Sequence, residues 1–498
     1  MLFCGIDVGT TGVKAFVFDE KGNPVSSSYR AYDIQVDGDG TRRLKAKELW
    51  DKTLDAFGEA ASQALKKTGG GINCLCADSF GEAFISLDAQ GNILHDPMIF
   101  TDRWGEKEYF EAEKKVTAEE IARICGLPLS PSYSLSKILY LKEECPEIYQ
   151  KINKILLIED FISYMFSGCT AADYSTASRT MFFDVAKAEW SAGLLSKFDL
   201  DARHFSAPVP MGTIIGKVQR HILDKTGLRG EIAVVAGGHD QPVNAIGSGL
   251  RAGYAVNSMG TAECVTPITG NILPAGFIAR RGIPSEPLWE KGKFCCLAYN
   301  VSSGLLVQWF ANTVAQGEEN PIKYLDGHVP PQPSKIMVQP YLMGSGTPYM
   351  DSAARMAFTG IDYGSTKFDM YRAILEGLVL DQKLNFSVLA EQNVHVKHLI
   401  AVGGGSRSVP WLQIKADILE IPVSTPAVKE AGALGAAILC AAAAGVYGSV
   451  EEAAAAMSRI DKTIEPDLKH HGFYTEKFEV YKKLHDKLEA VNFLNGVV

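Results

Sequence analysis

The sequence predicts an α/β protein made of two domains of similar size. Three observations lead to this prediction: a length of 498 residues, alternating strand and helix patterns, and a strand-turn-strand opening that occurs twice. A single hydrophobic core rarely serves more than about 250–300 residues, so a chain of this length is expected to form two. The composition, 46% hydrophobic and 21% charged, is typical of a folded globular protein.

The first opening lies at the start of the chain. Alternating apolar residues predict strands over residues 2–7, 13–19 and 24–29. The Lys-Gly-Asn turn before the third strand favours an antiparallel meander and not a βαβ unit. A helix is predicted over residues 46–67, because apolar residues recur there on one helical face.

The second opening lies at residues 252–267 and repeats the order of strand, Gly-Thr turn and strand. This repetition suggests a duplicated domain, with one copy over residues 1–245, the other over residues 246–498, and a hinge near residues 245–252. No low-complexity linker separates the copies, so they are expected to pack closely. Helices are predicted over residues 371–389, 411–419, 430–444 and 474–493.

Charge and composition disfavour several partners and compartments. The net charge of −9 and the absence of a dense Lys/Arg run disfavour nucleic acid. The apolar start lacks a preceding basic region and is interrupted by Asp7, which is unlike a signal peptide. The longest apolar stretch, residues 431–446, is too short for a membrane span. The ten cysteines lack metal-ligand spacing and are expected to be reduced thiols, so we expect a cytoplasmic protein.

The first Gly-Thr turn, at residues 7–12, has the composition of a phosphate-binding turn. Its glycines allow successive backbone N–H groups and the hydroxyls of Thr10 and Thr11 to point at one position. Asp7 could hold Mg²⁺ through water, and Lys14 adds positive charge nearby. A plain hairpin turn remains the alternative.

The second turn, which contains Gly260 and Thr261, gives the first a counterpart. Nucleotide phosphates need contacts from both sides when no P-loop is present. The sequence contains no G-x-x-x-x-G-K-[ST] motif and no G-x-G-x-x-G in a strand-to-helix setting. Walker-type and Rossmann nucleotide sites are therefore disfavoured together.

Asp240 follows an apolar strand that runs into Gly237 and Gly238. A carboxylate at the end of a strand, beside glycines that let a ligand approach closely, is well placed to take a proton from a hydroxyl as a general base. Alternatively, Asp240 caps the helix that starts near Pro242. His239 is either a packed, hydrogen-bonded side chain or a direct participant.

A third segment leads from a strand through Gly403, Gly404 and Gly405 into a helix. Bare backbone at a helix N-terminus lets a flat base or a ribose lie against it, as a nucleoside pocket requires. A flexible turn would have the same composition.

With these motifs the chain resembles the FGGY carbohydrate kinases, within the actin and hexokinase superfamily. The resemblance covers nearly the whole chain, through residues 7–11, 171–178, 237–240, 344–348, 403–412 and 430–437. It implies two ribonuclease-H-like domains with ATP and a sugar in the cleft between them, and Asp240 as the catalytic base. The nucleotide contacts that we expect are Asp7, Thr10, Thr11, Lys14, Gly260, Thr261, Gly404, Gly405 and Ser408, with Asp7 also serving Mg²⁺.

The sugar contacts that we expect by this resemblance are Phe80, Glu82, Asp102, Asp240 and Gln241. Residues 155–191 and 403–422 look most like xylulokinases, which implies a ketopentose such as xylulose as the acceptor. Xylulokinases usually carry Met-His where this chain has Gly81-Glu82, whereas glycerol kinases have a Glu at the second position. Residues 78–81 are similar to the kinases for rhamnulose and fuculose. Glycerol, a deoxy-ketose and gluconate therefore stay open as acceptors.

Two functional classes follow from the resemblance. In the first, Asp240 deprotonates the acceptor while the two turns and Mg²⁺ hold the phosphates, and the domains close to exclude water. In the second, an ATPase switch of the same superfamily transfers phosphate only to water. The base-like setting of Asp240 favours the first class, and a homodimer is the expected assembly.

Overall fold

The computed structural model describes residues 1–36, 42–99 and 104–492 of the chain. Strands and helices alternate along both halves, which confirms the predicted α/β class. The strands of the first half are β1 (Leu2–Val8), β2 (Gly12–Asp19), β3 (Pro24–Ala31), β4 (Gln35–Val36), β5 (Arg42–Arg43), β6 (Cys74–Ser79), β7 (Phe84–Leu87), β8 (Ile93–His95), β9 (Lys154–Leu157), β10 (Ala171–Asp173), β11 (Phe183–Asp184), β12 (Glu189–Trp190), β13 (Ala207–Val209), β14 (Ile214–Lys217) and β15 (Ala233–His239).

The helices of the first half flank these strands. They are α1 (Ala46–Thr68), α2 (Glu106–Ala112), α3 (Ala118–Cys125), α4 (Ser134–Glu144), α5 (Pro146–Tyr149), α6 (Ile158–Ser167), α7 (Tyr174–Ser178), α8 (Ala192–Lys197), α9 (Arg220–Thr226) and α10 (Asp240–Gly247), with a 3₁₀ turn at Ala202–His204. Helix α1 matches the helix predicted over residues 46–67.

The second half continues the alternation. Its strands are β16 (Tyr254–Met259), β17 (Glu263–Thr269), β18 (Ser285–Pro287), β19 (Phe294–Cys296), β20 (Ala298–Asn300), β21 (Met337–Gln339), β22 (Ala357–Thr359), β23 (His398–Val402), β24 (Val423–Pro426) and β25 (Ile460–Ile464). Its helices are α11 (Ala275–Arg281), α12 (Ser303–Val314), α13 (Pro321–Asp326), α14 (Lys367–Ala390), α15 (Val409–Leu419), α16 (Ala431–Ala443), α17 (Val450–Met457), α18 (His471–Tyr481) and α19 (Leu484–Asn492), with 3₁₀ turns at Gly404–Arg407 and Leu468–His470.

The two halves share one strand plan. In the first sheet the order is β14-β15-β6-β1-β2-β3, with β1 antiparallel to β2 and parallel to β6. In the second sheet the order runs β25-β24-β23-β16-β17, with β16 antiparallel to β17 and parallel to β23. Each half thus begins with a hairpin whose first strand is central, and the predicted meander β1-β2-β3 is confirmed.

One helix prediction was wrong in detail. The helix predicted over residues 474–493 is two helices, α18 and α19, and residue 493 lies outside the described residues. The two helices are anchored separately, because the Tyr481 hydroxyl bonds to Asp381 while the His485 ring stacks on Tyr349. Regular 3.6-residue periodicity in the sequence did not reveal the break between these anchors.

Helices α10 and α16 lie side by side between the two sheets. Helix α16 packs on one face of the first sheet, where its alanines meet Phe3, Phe18 and Cys76. The approach is close because glycines stand at the contacts: a Cβ at Gly5 would lie 1.8 Å from the backbone oxygen of Ala433. None of the described helices is both long and apolar enough to cross a membrane.

Candidate active site

The first Gly-Thr turn joins β1 to β2 and is held by its own backbone. The N–H of Gly9 donates to the carbonyl of Gly12 at 3.0 Å, and the Tyr32 hydroxyl donates to the carbonyl of Gly9. Thr10 is partly exposed and Thr11 fully so. A fixed backbone with accessible hydroxyls at its tip is suited to contact a ligand, as phosphate binding would require.

The second Gly-Thr turn joins β16 to β17 in the same way. The N–H of Gly260 donates to the carbonyl of Ala262 at 3.0 Å, and Gly260 and Thr261 are both exposed. Helix α12 begins directly against this turn, because a Cβ at Gly304 would lie 2.1 Å from the carbonyl oxygen of Gly260. The two halves therefore present equivalent turns at equivalent places in their sheets.

Two cavities meet at the glycine-rich segment. One, of about 650 Å³, lies between the second turn and the glycine-rich segment; it is lined by Gly260, Thr261, Gly304, Val307, Gln308, Ile322, Asp326, Gly404, Gly405, Ser408 and Trp411 among others. The other, of about 400 Å³, is lined by Lys14 of the first half and by Gly404 and Glu430 of the second. Gly404 therefore lines both cavities, and Lys14, two residues after the first turn, lines the smaller one.

The larger cavity has the form that a nucleoside needs. Gly405 must be a glycine, because a Cβ there would lie 2.9 Å from both Met259 and Trp411. Ser408 caps α15 by accepting from the N–H of Trp411, and its hydroxyl donates to Asp326 at 2.9 Å. The predicted residues Gly404, Gly405 and Ser408 are thus brought to one wall of the cavity.

Three carboxylates of the first half are near enough to one another to repel. Asp7 is the residue before the last of β1, Asp78 is its register partner on β6, and Asp240 opens α10. Asp78 is fully buried, and neither of its oxygens has a hydrogen-bond partner among the described residues. A buried carboxylate without a donor is costly, which marks this cluster as a place where a ligand or cation would be stabilising.

Burial and mutual repulsion shift the proton affinities of these acids. Burial first, and then the charges of Asp7 and Asp240, raises the pKa of Asp78 well above its usual range. Burial and then Asp7 raise the pKa of Asp240 to about 7, against the opposing effect of Arg179. Burial also raises the pKa of Asp7, although the ammonium of Lys14 lowers it.

Lys14 links the two halves beside this cluster. Its Nζ lies 2.7 Å from Glu430, just before α16, and 4.0 Å from Asp7. The positive charge that the sequence predicts near the first turn is therefore present there, on Lys14.

Asp240 does not cap a helix through its side chain. Helix α10 begins at Asp240 itself, and Asp240 Oδ1 accepts no hydrogen bond within the described part of the chain. The side chain is 28% exposed and thus reachable from the cleft. Asp173, in contrast, caps α7 by accepting from the N–H groups of Ser175 and Thr176.

The residues predicted to contact the sugar differ in burial and in hydrogen bonding. Phe80 is buried within the core beneath the first sheet. Gln241 follows Asp240, and its Oε1 has no partner among the described residues. Asp102 lies outside the described residues.

Glu82 is buried and held in an unusual backbone conformation. Its φ is +66°, a region that residues with side chains rarely adopt. The Ser134 hydroxyl fixes the backbone by donating to the Glu82 carbonyl at 2.7 Å. The Glu82 carboxylate accepts from Arg179, through Nε at 2.7 Å and through Nη2. Strain of this kind is typical of functional loops.

Arg179 and Glu286 were missed by the sequence analysis. The guanidinium of Arg179, which lies just after α7, bridges Glu82 to Glu286 on β18 of the second half. Glu286 is fully buried and also contacts His239. These partners are about 100 residues apart in sequence, so only the fold brings them together.

Comparisons with known proteins identify the family of this chain. The model of the N-terminal domain of the FGGY family of carbohydrate kinases matches residues 2–247, and that of the C-terminal domain matches residues 255–444. A xylulose kinase of Bacillus subtilis is 25% identical over 495 residues, covering 98% of this chain and 97% of the relative. An autoinducer-2 kinase of Escherichia coli is 26% identical over 513 residues, covering 98% and 93%.

A solved structure shares the whole architecture. The xylulose kinase of Rhodospirillum rubrum superposes with a TM-score of 0.91 at 21% identity, covering 99% of this chain and 100% of the other. The predicted fold, two domains of the actin and hexokinase type around a central cleft, is thereby confirmed.

Proposed function

Because the chain belongs to the FGGY family of carbohydrate kinases, we propose that it phosphorylates a hydroxyl of a ketopentose such as xylulose. Membership makes it a sugar kinase that uses ATP as the phosphate donor. The ketopentose is supported by the several xylulose kinases among the full-length relatives. The observation that carries the proposal is Asp240: a partly exposed carboxylate beside Asp7 and Asp78, whose Oδ1 has no hydrogen-bond partner among the described residues and whose pKa is raised to about 7.

We propose Asp240 as the general base. Its carboxylate accepts the proton of the sugar hydroxyl while the oxygen attacks the γ-phosphorus of ATP and ADP leaves. A pKa near 7 suits this role, because about half of the group is ionised at neutral pH and can accept a proton, which it then holds well.

We propose that the two Gly-Thr turns hold the triphosphate. Backbone N–H groups and hydroxyls of Thr10, Thr11, Gly260 and Thr261 would contact the β- and γ-phosphates, and Lys14 would balance their charge. The adenosine would occupy the cavity of about 650 Å³, against Gly404, Gly405 and Ser408.

Mg²⁺ fits this site. The Asp78 oxygens are buried and unpartnered, and a Cβ at Gly432 would lie 2.6 Å from Asp78 Oδ2 and 3.5 Å from Asp7 Cγ, so both acids meet at one place. No group of three or more protein ligands for a metal occurs in the described ranges. Mg²⁺ usually takes one or two carboxylates, with phosphate and water completing its shell. We propose that Asp7 and Asp78 would hold it, and it would neutralise developing phosphate charge.

The remaining assignments are also proposals. Phe80, Glu82, Asp102 and Gln241 would surround the sugar, with Glu82 acting through its carboxylate beside Arg179. We further propose domains at residues 1–245 and 246–498, a cytoplasmic homodimer, and neither nucleic-acid nor membrane partners, in keeping with the net charge of −9. Sedimentation of the purified protein tests the dimer.

A panel of acceptors tests the substrate. ADP release by the purified enzyme would be measured with xylulose, rhamnulose, fuculose, glycerol, gluconate and autoinducer-2. We expect the highest kcat/KM with a ketopentose. A higher value with another acceptor would reassign the substrate, and ATP turnover that is independent of every acceptor would favour the ATPase switch.

A further inference from the structure

The ring of His239 stands between the proposed base and a carboxylate from the other half of the chain. Nδ1 lies 2.8 Å from Glu286 Oε2, and Nε2 lies 3.2 Å from Asp240 Oδ1. The ring and the Glu286 side chain are 6% and 0% exposed. The backbone N–H of His239 donates to the Ser175 hydroxyl at 2.9 Å, which fixes the root of the side chain.

The chemistry of these contacts determines which nitrogen carries the proton. Glu286 accepts from the guanidinium of Arg179, which is always charged, so Glu286 is present as a carboxylate that can only accept. Nδ1 must then carry hydrogen and donate to Glu286. Burial first, and then the charge of Arg179, lowers the pKa of His239 well below its usual range, so the ring is neutral and Nε2 is an unprotonated acceptor.

Nε2 and Asp240 are close but not hydrogen-bonded. The two atoms are 3.2 Å apart, and Asp240 Oδ1 has no hydrogen-bond partner among the described residues because the direction from the ring nitrogen does not meet that oxygen. An Asp240 side chain that has taken up a proton can donate to Nε2 after a small rotation that brings its O–H onto the line of the nitrogen lone pair.

Gly81 makes this arrangement possible. A Cβ at residue 81 would lie 2.4 Å from Arg179 Nε and 3.2 Å from the His239 ring. The absence of a side chain therefore allows the guanidinium and the imidazole to pack over the backbone that leads into Glu82.

Other charged groups also face Asp240 from the elements around it. They are Asp7 on β1, Asp78 on β6, Glu82 after β6, Arg179 after α7 and Glu286 on β18, with the Cys264 thiol on β17. Of these groups, His239 is the neutral side chain whose ring nitrogen lies 3.2 Å from Asp240 Oδ1.

We propose that His239 is a positioning residue for Asp240, held by Glu286 in the Nδ1–H form so that Nε2 receives a hydrogen bond from the base after proton transfer. In the reaction the sugar O–H bond breaks and its proton moves to Asp240, while the sugar oxygen bonds to the γ-phosphorus and the bond from that phosphorus to ADP breaks. The new Asp240 O–H then donates to Nε2, and the proton leaves to water when the products depart. Glu286 belongs to the second half, so the second half contributes to the chemistry of the first.

The first test reads the proton positions directly. The full-length enzyme would be labelled with ¹⁵N-histidine, and long-range ¹H–¹⁵N spectra would distinguish protonated from unprotonated ring nitrogens. The signal that disappears in H239N or H239Q belongs to His239. We expect a neutral ring with hydrogen on Nδ1, and hydrogen on Nε2 would overturn the proposal. This spectrum needs no turnover, so it stays decisive even if Asp240 proves not to be the base on which the inference rests.

A matched pair of variants tests the role of Glu286. E286Q and E82Q each remove one carboxylate partner of Arg179, but only Glu286 touches His239. We expect E286Q to move a measurable fraction of His239 to the Nε2–H form and E82Q to leave the ring as in the wild type. If both variants raise the Nε2–H fraction of His239 equally, or if neither raises it, then the hydrogen bond to Glu286 does not fix the proton on Nδ1 and the proposal is refuted.

The pH profile of kcat tests the hydrogen bond to the base. Loss of the Nε2 acceptor in H239N should move the acid limb to lower pH by about half to one unit, the effect of one hydrogen bond to one protonation state. H239Q should move it less, because its amide oxygen reaches the place of Nε2. Thermal melting and nucleotide titration would check that both variants fold. If the acid limb of H239N has the same midpoint as that of the wild type, His239 does not influence the protonation of Asp240. Its role would then be structural, whatever the value of kcat.

Discussion

Buried acidic residues in the two halves differ in how many partners they have. In the cleft of the first half, Asp78 and one oxygen of Asp240 lack hydrogen bonds among the described residues. In the core of the second half, Glu376 is equally buried but accepts from Arg372 at 2.7 Å and from Lys477 at 2.6 Å. Burial alone therefore does not identify a functional acid; the number of its donors does.

The same contrast holds for two further acids of the second half. Glu263, just after the second turn, accepts from Lys415 and from the Ser303 hydroxyl. Asp381 accepts from Tyr341 at 2.7 Å. These three carboxylates of the second half hold elements together, whereas Asp78 and Asp240 of the first half keep oxygens that can meet a cation or a substrate.

The largest expected effect is on catalysis. Asp240→Asn should lower kcat by about 10²–10⁴-fold, the contribution of a general base. It should not lower the free energy of unfolding, because Asn keeps an oxygen that can accept from the side chain of Gln241. A coupled ATP assay, ADP titration and urea unfolding would measure the three quantities. Activity close to that of the wild type would remove Asp240 from the mechanism.

The next effect is on stability. Glu376→Ala should lower the free energy of unfolding by about 3–5 kcal/mol, because Lys477 and Arg372 would be left as unpaired buried cations. Glu231→Ala is the matched control: Glu231 pairs with Lys217 at the surface with 77% of its side chain exposed, so a change of about 0–1 kcal/mol is expected. Urea unfolding would measure the loss in free energy of unfolding for both variants. Similar losses would contradict the contrast between the buried ion pairs of Glu376 and the surface pair of Glu231.

The smallest effect is on the pH dependence of stability. A carboxyl whose pKa is raised by folding binds more protons when folded, so it favours folding at low pH and loses this contribution as pH rises through its folded pKa. For Asp240 the loss should occur between about pH 4 and pH 7. Compared with Asp240→Asn, the wild type should lose stability more steeply there, by up to about 1.4 kcal/mol per pH unit. Urea unfolding at a series of pH values would measure this difference. If the free energy of unfolding varied with pH in the same way in both proteins, the raised pKa of Asp240 would be contradicted.

The sequence was sufficient for local features. The meander at the start, helix α1 and the two Gly-Thr turns follow from residues that are neighbours in the chain, and periodicity and turn chemistry report such features well. Asp240, which we propose as the base, could be singled out from the sequence because Gly237, Gly238 and Asp240 form one short motif.

The arrangement around the base was not predictable in the same way. Arg179 and Glu286 carry no local motif, and their contacts cross 97 and 107 residues of sequence. Asp78 gave a weak signal, since a charged residue within the apolar strand β6 must be either paired or functional. Pairing across the fold depends on tertiary packing, which periodicity does not describe.

Helix α16 has a practical consequence for producing this protein. It belongs to the second half of the chain, yet it covers Phe3, Phe18 and Cys76 on the first sheet. A fragment that ends before this helix would expose a broad apolar face to water, and such faces lead to aggregation. Each half expressed alone in recombinant form is therefore expected to be insoluble, and complementation would require both fragments to be synthesised in the same cell.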